Sequence, residues 1–191
     1  MSNYSFSQTN DSASYFGFNI APVFMTQVDF VFEKAINPYI TGQLSGGFVV
    51  NAPYGSLHKI GTTKSLSKRQ GGFLRIGVKG HLKDKFISPF IGGLIINILS
   101  IEEGFSECPD TIICFQSVPN FSNTSYNLGV SGIVGLTIKP LKRFKIDFGV
   151  QIGVLLIDRL SDYHSFTPGM GINWNPMKTQ FITEIKYKLK K

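Results

Sequence analysis

The chain has 191 residues, of which 16% are charged, and its 19 basic and 12 acidic residues give a net charge of +7. This length is typical of one domain, and the charged fraction lies well below the roughly 25% of an average soluble domain. No run of about 18 uninterrupted apolar residues occurs, which excludes a transmembrane helix. The basic residues do not form one stripe with stacking aromatics, so no nucleic acid partner is expected.

Residues 1–13 are mostly polar and predict a flexible N-terminal arm, followed by a single domain over 14–191. Within that domain bulky apolar residues recur at every second position, which is the period of a β-strand. No segment shows the 3.6-residue period of a helix. The alternating segments are 15–24, 27–35, 39–51, 71–82, 86–101, 125–138, 144–157, 167–174 and 180–189.

The segment 144–157 shows the pattern most clearly. Its apolar positions run from Phe144 to Leu156, and the positions between them include Lys145, Asp147 and Gln151. The segment 86–101 is apolar on both faces. Together the segments predict an all-β protein, an antiparallel meander of strands.

The connections alternate between short and long. Short turns are predicted at 37–38, 83–85 and 139–143, whereas 54–70 predicts a lysine-rich loop and 102–123 an acidic loop. Counting strands gives eight or nine. The count is eight if 167–174 belongs to a long external hairpin, which places both termini and every short turn on one side. The count is also eight if 15–35 forms one bent strand, but the sidedness of the connections is then inverted. We prefer the first alternative, in which 167–174 belongs to a hairpin.

The polar face of the strands indicates which side is the interior. Glycine and serine are frequent on it, and a face of small side chains fits the limited space inside a narrow barrel. Its charges come in both signs, so they could pair within a closed lumen. The predicted structural network of the lumen comprises Asp29, Glu33, Arg75, Lys79, Lys145, Asp147, Gln151, Glu184 and Lys186. The apolar face would then meet lipid, and aromatics near strand ends would form interfacial girdles: Tyr15, Tyr39, Phe86, Tyr126, Phe144 and Tyr187.

Two stretches resemble the small eight-stranded outer-membrane barrels, especially those of Bacteroidota-type bacteria. They are VDFVFEKAINPYITGQLSGGF at 28–48 and SYNLGVSGIVGLTIKPLKRFKIDFGVQIGVLL at 125–156. The resemblance implies a closed antiparallel up-and-down transmembrane β-barrel in the outer membrane, as a mature chain whose signal peptide is not present in this sequence. It also implies a final aromatic residue, where this chain has Lys190 and Lys191.

We therefore expect a structural or interaction role, with no open pore because eight strands leave a lumen that side chains fill. The protein could be an accessory subunit of a larger outer-membrane complex. Loops 54–70 and 102–123 would contact lipopolysaccharide or other outer-membrane proteins. The alternative is a soluble lipocalin-like barrel whose apolar face lines a ligand cavity.

No enzyme, cofactor or metal is expected. A lipid-modifying enzyme is the less favoured alternative, since Ser161, Asp162, His164 and Ser165 cluster near one loop but His164 and Ser165 are adjacent and would point apart. His58 is expected to be exposed in a loop and His81 to be a filler on the polar face. Cys108 and Cys114 lack a ligand set for a metal and predict a small disulfide loop formed in an oxidising compartment.

Overall fold

The computed structural model describes residues 13–21, 26–50, 57–59, 62–82, 86–107, 120–157, 166–174 and 177–189. In this part of the chain no helix has the length and apolar character needed to span a membrane. The strands are β1 (Ser14–Asn19), β2 (Gln27–Ala35), β3 (Ile40–Val49), β4 (Leu57–Lys59), β5 (Thr62–His81), β6 (Ile87–Glu107), β7 (Asn120–Leu141), β8 (Phe144–Ile157), β9 (Phe166–Thr167), β10 (Gly171–Trp174) and β11 (Met177–Lys188).

Eight of these strands form a closed antiparallel barrel. Their order is β1, β2, β3, β5, β6, β7, β8 and β11, and β1 closes the ring by pairing with β11, where Phe16 lies opposite Tyr187. The predicted all-β fold and the count of eight strands are confirmed. The start of β1, the end of β11 and the strand ends that flank the short connections after β2, β5 and β7 lie together at one end of the barrel, which we name the terminal end. The opposite end is the loop end.

The strand register fixes the width of the barrel. The register can be followed around the ring from each residue to its partner on the next strand. Starting from Lys188 on β11, the successive partners are Tyr15, Glu33, Gln43, Gly77, Leu94, Ser131 and Gly153. This path returns to β11 at Lys178, ten residues from its start. A stagger of ten residues around eight strands tilts them by about 40° from the barrel axis. Such a barrel is narrow enough for side chains to fill.

The two faces of the strands meet opposite surroundings. Phe148 is 44% exposed on the outside of β8, whereas its neighbour Asp147 is fully buried in the lumen. The apolar residues of β6 divide between both faces, with Ile91 and Ile95 outside and Leu94 inside. The apolar face is thus the exterior. The lipocalin-like alternative, which required that face to line a cavity, is wrong.

Glycines on the inner face of the strands leave space for side chains in the narrow lumen. Gly135 and Gly149 are paired on the inner face, and a Cβ on Gly135 would lie 2.1 Å from the carbonyl oxygen of Phe148 and 2.7 Å from the ring of Phe90. Gly132, three residues earlier on β7, faces outward, and its nearest neighbours would lie 4.0 Å from a Cβ. Inner glycines are therefore required by packing, and outer ones are not.

Two loops predicted from the sequence are partly strand. β5, β6 and β7 are 20 to 22 residues long and extend past the end of β8 at the loop end. The predicted loop 54–70 contains β4 and the start of β5, and the predicted loop 102–123 contains the end of β6 and the start of β7. The sequence of these stretches is rich in polar residues, so it lacks the apolar alternation that identified the other strands. His58 accordingly lies in β4 rather than in a loop.

Two further expectations are corrected. The segment 167–174 lies outside the ring of eight and at the loop end, as predicted, but its turn enters the lumen, where Thr167, Gly169 and Met170 are buried. Tyr15 does not belong to an outer girdle. It lies on the inner face of β1, where the Nζ of Lys145 is 5.6 Å from the centre of its ring.

Replacing Gly135 with alanine should destabilise the barrel, because the new Cβ meets backbone that cannot move without separating β7 from β8. We expect Gly135→Ala to lower the unfolding free energy by about 3 kcal/mol. Gly132→Ala on the same strand should leave it unchanged or raise it by about 0.5 kcal/mol. Urea unfolding of the reconstituted protein measures both, and equal effects of the two variants would contradict an interior at the Gly135 face.

Candidate functional site

The structure places all nine residues of the predicted network in the lumen. They project from four strands, β2, β5, β8 and β11, and none is more than 4% exposed. Their alternation along each strand brings them to one side, and barrel closure brings the four strands face to face. They form two groups at different heights.

The group nearer the terminal end, which we name the lysine cluster, consists of Glu33, Lys79, Lys145, Asp147, Glu184 and Lys186. The Nζ of Lys79 donates to Glu33 at 2.8 Å, to Asp147 at 3.0 Å and to Glu184 at 2.8 Å. Lys186 donates to the same three carboxylates. Lys145 donates to Glu33 at 2.6 Å. Three ammonium groups thus share three carboxylates.

The group nearer the loop end, which we name the arginine cluster, consists of Asp29, Arg75, Gln151 and Gly169. Arg75 pairs with Asp29 and also donates to Gln151 at 3.1 Å and to the carbonyl of Gly169 at 3.3 Å. The guanidinium lies 5.0 Å from the centre of the Phe73 ring. Arginine suits this position because its planar fork serves several acceptors at once.

The turn between β9 and β10 closes the arginine cluster from the loop end. The carbonyl of Gly169 also accepts from Gln151 at 2.9 Å, and its N–H donates to Gln27 at 3.1 Å. Gly169 has φ of +70° and Gly171 has φ of +91°, backbone conformations that favour glycine. Met170 is fully buried in the apolar cluster that also contains Phe73. The turn therefore acts as a plug made by the chain itself.

Charge balance explains how these groups can be buried. The two clusters together contain four carboxylates and four cations. An unpaired ion in such an interior would carry a penalty of several kcal/mol, whereas each ion here has opposite charges and hydrogen-bond partners around it. Every ion of the two clusters contacts at least one ion of opposite charge, which supports a rigid interior rather than a transport path.

Several members of the network were not identified in the sequence. Asn19 donates to Asp29 at 3.1 Å, Gln43 donates to Glu184 at 3.2 Å, and Thr137 donates to Asp147 at 2.8 Å. Each lies on the polar face of an alternating strand, so its position was visible, but its partner depended on register. His81, expected to be a filler, lies 3.2 Å from the hydroxyl of Thr41.

The carboxylates of Glu33, Asp147 and Glu184 have oxygens within 4.8 Å of one another, a spacing that could hold a metal ion. Here the ammonium groups of Lys79 and Lys186 contact all three. These two lysines already supply the positive charge that a metal would bring.

Fold and lumen together define the molecule as a closed eight-stranded up-and-down β-barrel with an apolar exterior and a charged, plugged interior. No protein-family model matches the chain, and no curated protein matches it by sequence.

Among solved structures, the chain is similar to Ail, the attachment invasion locus protein of Yersinia pestis, at 9% identity, covering 93% of this chain and 97% of that one with a TM-score of 0.46. The N-terminal β-barrel domain of Pseudomonas aeruginosa OprF matches at 8% identity, with coverage of 93% and 96% and a TM-score of 0.45. Ail in complex with the heparin analogue sucrose octasulfate matches at 11% identity, with coverage of 93% and 97% and a TM-score of 0.43. The resemblance to Bacteroidota-type barrels stays a prediction.

Other sequence candidates lie outside the described residues. They are the N-terminal arm up to residue 12, Cys108 and Cys114, and the loop residues Ser161, Asp162, His164 and Ser165. The predicted disulfide gains no support.

The lysine cluster should respond to loss of charge balance. Glu33→Gln leaves three ammonium groups with one carboxylate fewer, and we expect the unfolding free energy to fall by about 3–5 kcal/mol. The double variant Glu33→Gln/Lys145→Gln should be less destabilised than the sum of its single variants. Lys34→Gln, an exposed neighbour of Glu33, should change the free energy by less than about 0.5 kcal/mol. Strict additivity in this double-mutant cycle would contradict a coupled network.

The plug should depend on Gly169. A Cβ at this residue would lie 2.6 Å from the Phe73 ring and would occupy an unfavourable φ, so Gly169→Ala should displace the turn from the lumen. We expect amide hydrogen exchange at residues 167–172 to accelerate at least about tenfold, the equivalent of about 1.4 kcal/mol. Exchange in β7 should stay unchanged, and unaltered exchange at 167–172 would show that the turn is not held there.

Proposed function

We propose that this protein is an integral outer-membrane β-barrel with a structural or interaction role, neither an enzyme nor an open pore. The observation that carries the proposal is the orientation of its two faces. Large apolar side chains cover the exterior, and charged side chains fill the interior. Water would favour the reverse, whereas lipid is the favourable surrounding for such an exterior.

The height of the apolar exterior fits a membrane. Along β8 outward residues from Phe144 to Leu156 are apolar, and twelve residues rising about 3.3 Å each at a tilt of about 40° span about 30 Å. The hydrocarbon layer is about 25–30 Å thick around such barrels. Exposed aromatics border the exterior at the terminal end: Tyr39, Phe86, Phe144 and Tyr187. Closure by β1 and β11 also removes the sheet edges that hydrocarbon does not tolerate.

The strand extensions at the loop end are the surface we propose for partners. There the register places Lys68 opposite Glu103 and Arg69 opposite Glu102. A polar sheet that carries both signs of charge suits contact with lipopolysaccharide or with another outer-membrane protein, as an accessory subunit would make. The lumen is filled by its two clusters and plug, which supports a role that does not require conduction.

A charged substitution on the exterior tests the membrane assignment. Val134 lies near the middle of the apolar part of β7 and is 55% exposed. Val134→Arg should lower the unfolding free energy in lipid vesicles by about 2–4 kcal/mol, because the guanidinium would face hydrocarbon. Thr124→Arg, exposed on the extension of the same strand, should have little effect. Folding is followed by the shift in gel mobility on heating.

The wild-type protein should also require detergent or lipid to stay monodisperse. A monodisperse wild-type protein without detergent, together with no difference between Val134→Arg and Thr124→Arg, would contradict the assignment.

A further inference from the structure

Basic residues far outnumber acidic ones in the segments that form or adjoin the terminal end. The described residues there include five cations, which we name the basic collar: Lys34, Lys139, Lys142, Arg143 and Lys188. The sequence adds Lys83, Lys85, Lys190 and Lys191 in the adjoining segments. The acidic residues of the same segments and the N-terminal arm are Asp11 and Asp84. Nine basic and two acidic residues give +7, the whole net charge, and the remaining ten basic and ten acidic residues cancel.

The collar lies beside the aromatics that border the apolar exterior. The guanidinium of Arg143 donates to the hydroxyl of Tyr187 at 3.2 Å, and the rings of Tyr187 and Phe144 lie 5.3 Å apart. Exposed tyrosine and phenylalanine at the rim of a barrel mark the level of lipid headgroups. Lys142 and Lys34 are exposed at this end of the barrel. Their charges therefore lie near the phosphates of the adjacent leaflet.

We infer that the basic collar binds the phosphate headgroups of anionic phospholipids in the leaflet at the terminal end. This inference rests on the proposed membrane-spanning function. Each lysine or arginine near an anionic membrane surface strengthens association about fivefold. The collar is accordingly a lipid-selecting surface, distinct from the partner surface at the loop end.

The distribution of the collar favours lipid over a protein partner. Its residues lie on β2, β7, β11 and the turn between β7 and β8, an arc of the perimeter that runs from β7 through β8, β11 and β1 to β2. An arc across five strands would contact several neighbouring lipids of one leaflet at once. At the loop end Lys68 and Arg69 are instead paired in register with Glu103 and Glu102, which lowers the local positive charge.

The lipid selectivity of the reconstituted protein tests the inference. The full chain is reconstituted in phosphatidylcholine vesicles with spin-labelled phosphatidylglycerol or phosphatidylcholine, and the immobilised fraction of each label gives their relative association. We expect the wild type to prefer phosphatidylglycerol by about fivefold or more. Lys142→Gln/Arg143→Gln should lose most of this preference, and 1 M salt should reduce it. The control Lys68→Gln/Arg69→Gln at the loop end should retain it.

The outcomes separate this inference from the function on which it rests. Insertion is followed independently by heat-dependent gel mobility and by protection from protease. An inserted wild type without preference, or an equal loss in the collar variant and the control, overturns lipid selection and leaves the outer-membrane barrel standing. A wild type that does not insert overturns the barrel assignment itself.

Discussion

Neutralisation of buried charge inside a closed ring of strands is the interaction on which the rest of the structure depends. Glu33 meets the ammonium groups of three lysines that come from three different strands. Those contacts exist only when β2, β5, β8 and β11 face one another across a lumen, and the lumen exists only when β1 pairs with β11. Ring closure and charge neutralisation are therefore interdependent. Closure without neutralisation would bury ions without partners, and neutralisation requires the strands that closure brings together.

A narrow lumen also explains the division of residue types between the faces. With a stagger of ten residues around eight strands, the interior holds long charged side chains only where opposing positions are small. Gly149 faces Gly135 across the β7–β8 pair, and Phe90 packs over both. On the exterior no such competition exists, so bulky apolar residues are accommodated and lipid becomes the favourable surrounding. Side-chain size limits which residues fit at inward positions, and hydrophobicity determines which residues suit outward positions.

Much of this could be predicted from the alternation of residues. The period of two predicts the strands of the barrel and which residues share a face, although it left the count at eight or nine. The small residues and mixed charges of the polar face identify that face as the lumen. The partners within the lumen do not follow from this pattern, because pairing Gln43 with Glu184 requires the register of strands that are 141 residues apart in sequence. The strand extensions were not predicted because their sequence is rich in polar residues and lacks apolar alternation. The plug was not predicted because alternation in 167–174 indicates a hairpin but does not say whether its turn points into the lumen or away from the barrel.

The two ends of the barrel differ in chemistry for a reason that follows from the lumen. The buried charges of the two clusters balance, and the other buried ion among the described residues is Lys178 on β11, so most of the net charge lies in turns, extensions and tails. The extensions at the loop end carry facing strands of opposite sign, with Arg69 opposite Glu102, and so contribute little. At the terminal end the turn between β7 and β8 holds Lys142 and Arg143 next to an aromatic border. A barrel whose buried clusters are balanced thus gains its electrostatic asymmetry from its ends and not from those clusters.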